Sequence, residues 1–198
     1  SLFMYANKNL KRIWASPHKD NKEDGVVGLV SGREDSVYFA TIFGGLSCIV
    51  KNKITQLTDD NSIVAALTEH KGQLYYLASA GIYQFHPSDK QLEKKSEVPQ
   101  NINLWPSCLL VDNENNFWIG MHDNLLYQKT RIFYSYKNET DNISPEIFSI
   151  CQLQNGQLIF GTNRGKIYSK NGLVLKNYLP GNGQVVTRAE IKAIYEDS

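Results

Sequence analysis

Five side chains in the second half of the sequence combine the groups that grip a polyhydroxylated ligand. Trp105 offers an apolar plane, while His122, Asp123, Asn163 and Arg164 offer planar hydrogen-bonding groups. Four of them lie in the polar stretches Met121-His122-Asp123-Asn124 and Thr162-Asn163-Arg164-Gly165, which separate apolar runs and read as turns. Trp105 lies in a connection just ahead of an apolar run. Solvated turns carry the same residue types, so these five gain meaning only if the fold brings them together.

Other chemistries find no foothold. His18, His70, His86 and His122 share no metal-ligand spacing, and no Ser-His-Asp order, Gly-rich phosphate cradle or zincin motif can be placed on its required element. Cys48, Cys108 and Cys151 each fall inside an apolar run without paired spacing, as small core residues do, and an odd number excludes a fully paired disulfide framework. No catalytic residue, metal or cofactor is therefore expected. Asp112, Glu69 and Asp197 recur where an apolar run meets a turn, a place for a carboxylate to accept backbone N–H groups rather than to move protons.

The elements that must position these residues repeat. Asn115 to Tyr127 reads as a tight β-hairpin: an aromatic-rich run, a short polar turn, then a second apolar run. The same grammar returns at Gly156 to Tyr168, at Gly72 to Tyr83 and, more loosely, at Ser36 to Ile49. The turn residues Gly45, Gly81, Asn124 and Gly165 are 36, 43 and 41 residues apart. All-strand repeats of this length are the signature of β-propeller blades, and helical repeats would need a 3.6-residue apolar period that is absent. An all-β propeller of four-stranded antiparallel blades follows, with about five blades in a partial propeller.

The expected blades are residues 26–61, 62–101, 102–142 and 143–183, flanked by the end of an incomplete blade at 1–25 and the start of a further one at 184–198. Glu190 to Asp197 reads as that further blade's inner strand. Trp118, Tyr75, Tyr76 and Tyr38 occupy second strands, where blade-to-blade packing is the expectation. In such a blade, the connections between blades and the middle hairpin turns share one face, which puts all five candidate residues together.

Composition agrees with a globular chain. Its 198 residues are 41% hydrophobic and 11% aromatic, enough to build a large core. Twenty-one basic against twenty acidic residues leave a net charge of +1, so no nucleic-acid or anionic-membrane footprint is expected. No run of about 18 apolar residues occurs, so any membrane anchor is expected outside this chain.

Three stretches carry a family likeness: Ser-Cys-Leu-Leu-Val-Asp-Asn-Glu-Asn-Asn-Phe-Trp-Ile-Gly at 107–120, Ile-Phe-Ser-Ile at 147–150 before Asn-Gly-Gln-Leu-Ile-Phe-Gly-Thr at 155–162, and Ile-Lys-Ala-Ile-Tyr-Glu-Asp at 191–197. They resemble the two-component regulator propeller repeat, which builds the periplasmic sensor regions of Bacteroides-type hybrid two-component histidine kinases. Tyr38-Phe39-Ala40-Thr41 and Tyr75-Tyr76-Leu77-Ala78 depart from the Trp-Ile-Gly-Thr pattern in the first two repeats. The resemblance implies a periplasmic, non-catalytic sensor segment that recognises an oligosaccharide or other small ligand, homodimerises through neighbouring domains and controls transcription by phosphorelay. A protein-interaction scaffold and a propeller lyase or glycosidase are the competing expectations.

Overall fold

The computed structural model describes residues 2–6, 9–14, 24–33, 35–58, 63–98, 106–122, 124–129, 132–136, 146–171, 174–177 and 190–196. Every regular element among them is a strand. By contacts the chain divides into Ser1–Val98 and Pro99–Ser198.

The first unit opens with a two-stranded sheet of β1 (Leu2–Ala6) and β2 (Asn9–Trp14). Two four-stranded antiparallel blades follow. One comprises β3 (Val26–Ser31), β4 (Val37–Thr41), β5 (Gly45–Val50) and β6 (Lys53–Gln56); the other β7 (Val64–His70), β8 (Gln73–Ala78), β9 (Gly81–His86) and β10 (Gln91–Ser96). The second unit holds two more, β11 (Pro106–Val111) through β12 (Phe117–Met121), β13 (Leu125–Lys129) and β14 (Ile132–Tyr136), and β15 (Ile147–Gln152) through β16 (Leu158–Thr162), β17 (Ile167–Asn171) and β18 (Val174–Asn177). In every blade the strands pair in sequence order, as short hairpin connections require.

Burial changes systematically across a blade. The middle strands β5 and β8 are buried at nearly every position, because both faces of the sheet are covered. The outer strands β6 and β10 are almost wholly exposed and carry the Lys and Glu residues that keep a sheet edge from pairing with another chain. Phe39, Tyr76, Phe85, Trp118 and Phe160 are the largest fully buried side chains. In the first unit Leu46, Tyr76 and Phe85 share a cluster with Val27 and Leu67; in the second Trp118 packs on Phe160 and stacks on Tyr127 with ring centres 4.2 Å apart. Truncating any one of these aromatics would cost about 3–5 kcal/mol.

Each inner strand carries the same irregularity near its start: the register slips at Val26/Gly28, Val64/Ala66, Pro106/Cys108 and Ile147/Ser149. This bulge bends the strand where the neighbouring blade comes closest. The residue pairs just after it are small on at least one side: Gly28 with Ala40, Ala66 with Leu77, Cys108 with Gly120 and Ser149 with Gly161. A Cβ on Gly120 would meet the Ile147 carbonyl at 2.8 Å, and one on Gly161 would meet the Ile191 side chain at 2.5 Å. The Gly of Trp-Ile-Gly is thus a close-approach residue. Leu77 takes that place in the second blade opposite Ala66.

In the second unit the blades are also laced by single hydrogen bonds. Ser107 Oγ donates to the Ile147 carbonyl, and Ser149 Oγ donates to the Ile191 carbonyl at 2.8 Å. At the other end of the inner strands, Asn113 N donates to Gln152 Oε1 at 2.8 Å and Gln154 N to Glu196 Oε2 at 2.5 Å. The segment 190–196 therefore lies along β15, but it is not a regular strand as its sequence suggests. Neighbouring inner strands meet through side chains, not through a ladder, and this segment has no ladder partner among the described residues.

Asp112 organises the turn between β11 and β12. Its Oδ1 accepts from Glu114 N at 3.0 Å and Asn116 N at 2.8 Å, and its Oδ2 accepts from Trp118 Nε1 at 2.8 Å. Glu69 does the simpler version, accepting from Gly72 N at 2.5 Å. These carboxylates hold turns, as expected from their positions; Asp197 lies outside the described residues.

Candidate functional site

In the first and fourth blades the middle hairpin turn is built by a Thr at the end of the second strand. Thr41 Oγ1 accepts from Gly44 N at 2.9 Å; Thr162 Oγ1 accepts from Lys166 N at 3.2 Å and donates to the Lys166 carbonyl at 3.0 Å. Left-handed glycines complete three of the turns, with φ of 66° at Gly45, 144° at Gly81 and 69° at Gly165. The turn is then fixed to the chain entering the inner strand: Ile42 N donates to the Gly25 carbonyl, and Asn163 N to the Glu146 carbonyl, each at 3.0 Å.

A carboxylate strengthens that joint. In the first blade, buried Asp24 accepts from Thr41 Oγ1 at 3.1 Å and from Phe43 N at 2.9 Å. In the fourth, Glu146 Oε2 accepts from Asn163 Nδ2 at 3.4 Å and lies 3.4 Å from His122 Nδ1, a residue of the preceding blade. Two of the five residues singled out by sequence, His122 and Asn163, are thereby joined through a carboxylate that the sequence did not single out. Glu146 directly follows the polar linker Asp141-Asn142-Ile143-Ser144-Pro145, and its only sequence signal is its place one residue before an inner strand.

The group has a defined polarity. His122 is exposed, with 68% of its side chain open, whereas Glu146 keeps only 21%. Asn163 Oδ1 is buried and has no hydrogen-bond partner among the described residues, a cost that an incoming donor would relieve. Arg164 is exposed on the same turn, its backbone N–H donating to Thr162 Oγ1 at 3.4 Å. Trp105 and Asp123 lie outside the described residues. Such an arrangement presents a donor-rich rim to a hydroxylated ligand, and it holds an imidazole beside a carboxylate, the minimal pair for proton transfer.

A concave feature opens at the other end of the blades in the first unit. A cavity of about 770 Å³ lies between the turns after β3, β7 and β9 and is lined by Arg33, Tyr38, Val50, Glu69, Gln73 and Leu74 among others. Its size is that of small-molecule sites. Tyr38 was expected only to pack between blades; half-buried, it also forms part of this wall because the first blade's hairpin ends there. Tyr75, Tyr76 and Trp118 are buried as packing residues.

No cysteine is poised as a nucleophile. Cys108 keeps some exposure as a residue, but its sulfur is enclosed against Gly120 and Ile147, and burial pushes its thiol up to about 12. Burial likewise raises Cys48 and Cys151.

Comparison with known proteins places the architecture. No family model matches the sequence, and no curated protein matches it. Solved structures do. Virginiamycin B lyase from Staphylococcus aureus superposes with a TM-score of 0.63 at 17% identity, over 86% of this chain and 59% of the lyase. The extracellular domain of one B. thetaiotaomicron protein, described as a hybrid two-component system, gives 0.62 at 15% identity, over 96% of this chain and 25% of that one. A second such domain from the same organism gives 0.59 at 20% identity, over 87% and 24%. The chain folds as a β-propeller. It spans 59% of the lyase and about a quarter of each two-component chain, and at these identities the likeness is one of fold.

Proposed function

We propose that this chain belongs to the ligand-sensing, periplasmic propeller of a hybrid two-component sensor histidine kinase that reads a carbohydrate breakdown product and controls transcription through phosphorelay. The observation that carries this reading is the fold likeness to two extracellular two-component domains, one of them covering 96% of the chain. Within it, His122, Asn163 and Arg164 form the recognition rim, with Glu146 holding His122 and Asn163 in place; Trp105 and Asp123, which lie outside the described residues, are assigned to it from sequence alone. Sensing needs no chemistry. A ligand that binds one arrangement of the receptor more tightly than another shifts the population by its difference in affinity, and neighbouring domains transmit the change.

Calorimetry of the protein against a panel of oligosaccharides tests the reading. One glycan class should bind, and His122→Ala with Asn163→Ala should weaken it about tenfold or more, the loss of one or two hydrogen bonds. Silence across the panel refutes it.

The lyase likeness supports a second reading, a propeller lyase in which Glu146 orients His122 as the base. Turnover of a candidate substrate that His122→Ala abolishes would establish it; binding without turnover would exclude it.

A further inference from the structure

The cavity in the first unit has a composition that the hairpin-turn group lacks. Arg33 stands at its edge, exposed and without an ion pair among the described residues. Its guanidinium reaches from the first blade's turn to the second blade's: a methyl group added to Gly72 would lie 3.4 Å from Nη2. Glu69 also lines the cavity, but its Oε1 is engaged by Gly72 N. Gln73 lines it too, and its Oε1 is buried with no hydrogen-bond partner among the described residues.

The wall beside these groups is apolar. Val50 and Leu74 contribute to it, with the ring of Tyr38. A smaller hollow of about 190 Å³, reaching Cys48 and Phe85, adjoins it through Tyr38 and Val50. Tyr38 pairs with Cys48 across the sheet, and burial raises the pKa of its hydroxyl, so it stays a neutral phenol at physiological pH.

An unpaired guanidinium and an unsatisfied amide oxygen in one cavity call for complementary charges and donors. A guanidinium fork matches a carboxylate in two parallel hydrogen bonds. A buried carbonyl oxygen left empty costs free energy that only a donor recovers. Glu69 adds a second acceptor to the lining and disfavours a ligand with two negative charges. We propose that this cavity binds a small monocarboxylate whose acid group sits on Arg33 and whose hydroxyl or ammonium donors reach Gln73, with its apolar face against Val50, Leu74 and Tyr38. The proposal is independent of the sensing reading, since the cavity shares no residue with the group of His122, Glu146 and Asn163.

Calorimetric titration of the full chain with D-glucuronate, L-leucine, D-glucose and inorganic phosphate tests it. Glucuronate or L-leucine should bind one to one, with glucose and phosphate at least about tenfold weaker. Which of the two carboxylates binds tells whether hydroxyls or an ammonium meet Gln73. Arg33→Gln should weaken that carboxylate about 10- to 100-fold, and Gln73→Leu about tenfold, with ellipticity spectra and melting temperature held. Arg33 is an exposed turn residue, so its loss leaves the core intact. The proposal is overturned if neither carboxylate binds, if glucose or phosphate binds as tightly, or if Arg33→Gln changes nothing.

Discussion

Replacing Asp112 with Ala should show how much of a blade rests on one carboxylate. Asp112 is 5% exposed, and its two oxygens accept from Glu114 N, Asn116 N, Asn116 Nδ2 and Trp118 Nε1. Asn116 Nδ2 keeps Glu114 Oε2 at 3.2 Å, and Glu114 N lies near the surface, so those two lose little. Trp118 is 1% exposed, and its indole N–H and the backbone N–H of Asn116 lose their carboxylate acceptor. At about 1–3 kcal/mol for each orphaned donor, the loss is roughly 2–6 kcal/mol, or a fall in melting temperature of about 4–24 °C for a chain of this size. Thermal unfolding followed by ellipticity and tryptophan fluorescence measures it. The decisive comparison is the double variant: Trp118→Phe removes the indole donor, so Asp112→Ala should cost about 1 kcal/mol or more less in that background. Additive losses, or a single-variant loss below about 1 kcal/mol, would refute the assignment of Asp112 as the acceptor that Trp118 depends on.

Two further outcomes follow from the packing. Gly120→Ala should destabilise the second unit by about 1–3 kcal/mol in chemical denaturation, because the new methyl group meets the Cys108 sulfur and the Ile147 carbonyl. Burial pushes the Cys108 thiol up to about 12 in the folded protein against an ordinary value of 9.0, so between those values the folded state holds its proton while the unfolded state releases it. Stability should therefore be intact below about pH 9 and fall as pH rises from there towards 12, and Cys108→Ser should flatten that part of the profile.

The architecture was legible because a blade writes itself locally. Each hairpin needs an aromatic or β-branched run, a turn that tolerates positive φ and a second run, and Gly45, Gly81 and Gly165 mark those turns at blade spacing. The roles of Asp112 and Glu69 were legible for the same reason, since a carboxylate two to four residues from the donors it serves is a local pattern. Glu146 and Arg33 were not. Glu146 meets His122 across 24 positions of sequence, and Arg33 approaches Gly72 across 39, contacts fixed by how one sheet lies on the next. Glu190 to Asp197 shows the converse: its apolar alternation is strand-like, yet residues 190–196 meet β15 and the turn after it through side chains and single hydrogen bonds, not through a ladder.

The one-residue stitches between inner strands make stability in the second unit a matter of nearest neighbours. Each joins one repeat to the next and none skips a repeat, from Ser107 to Ile147 and from Ser149 to Ile191. Damage at one seam should loosen the two sheets that share it and leave others standing, so such a molecule opens like a zip and not like a shattered globule. A small compound wedged at a seam would act as a clasp at that place alone.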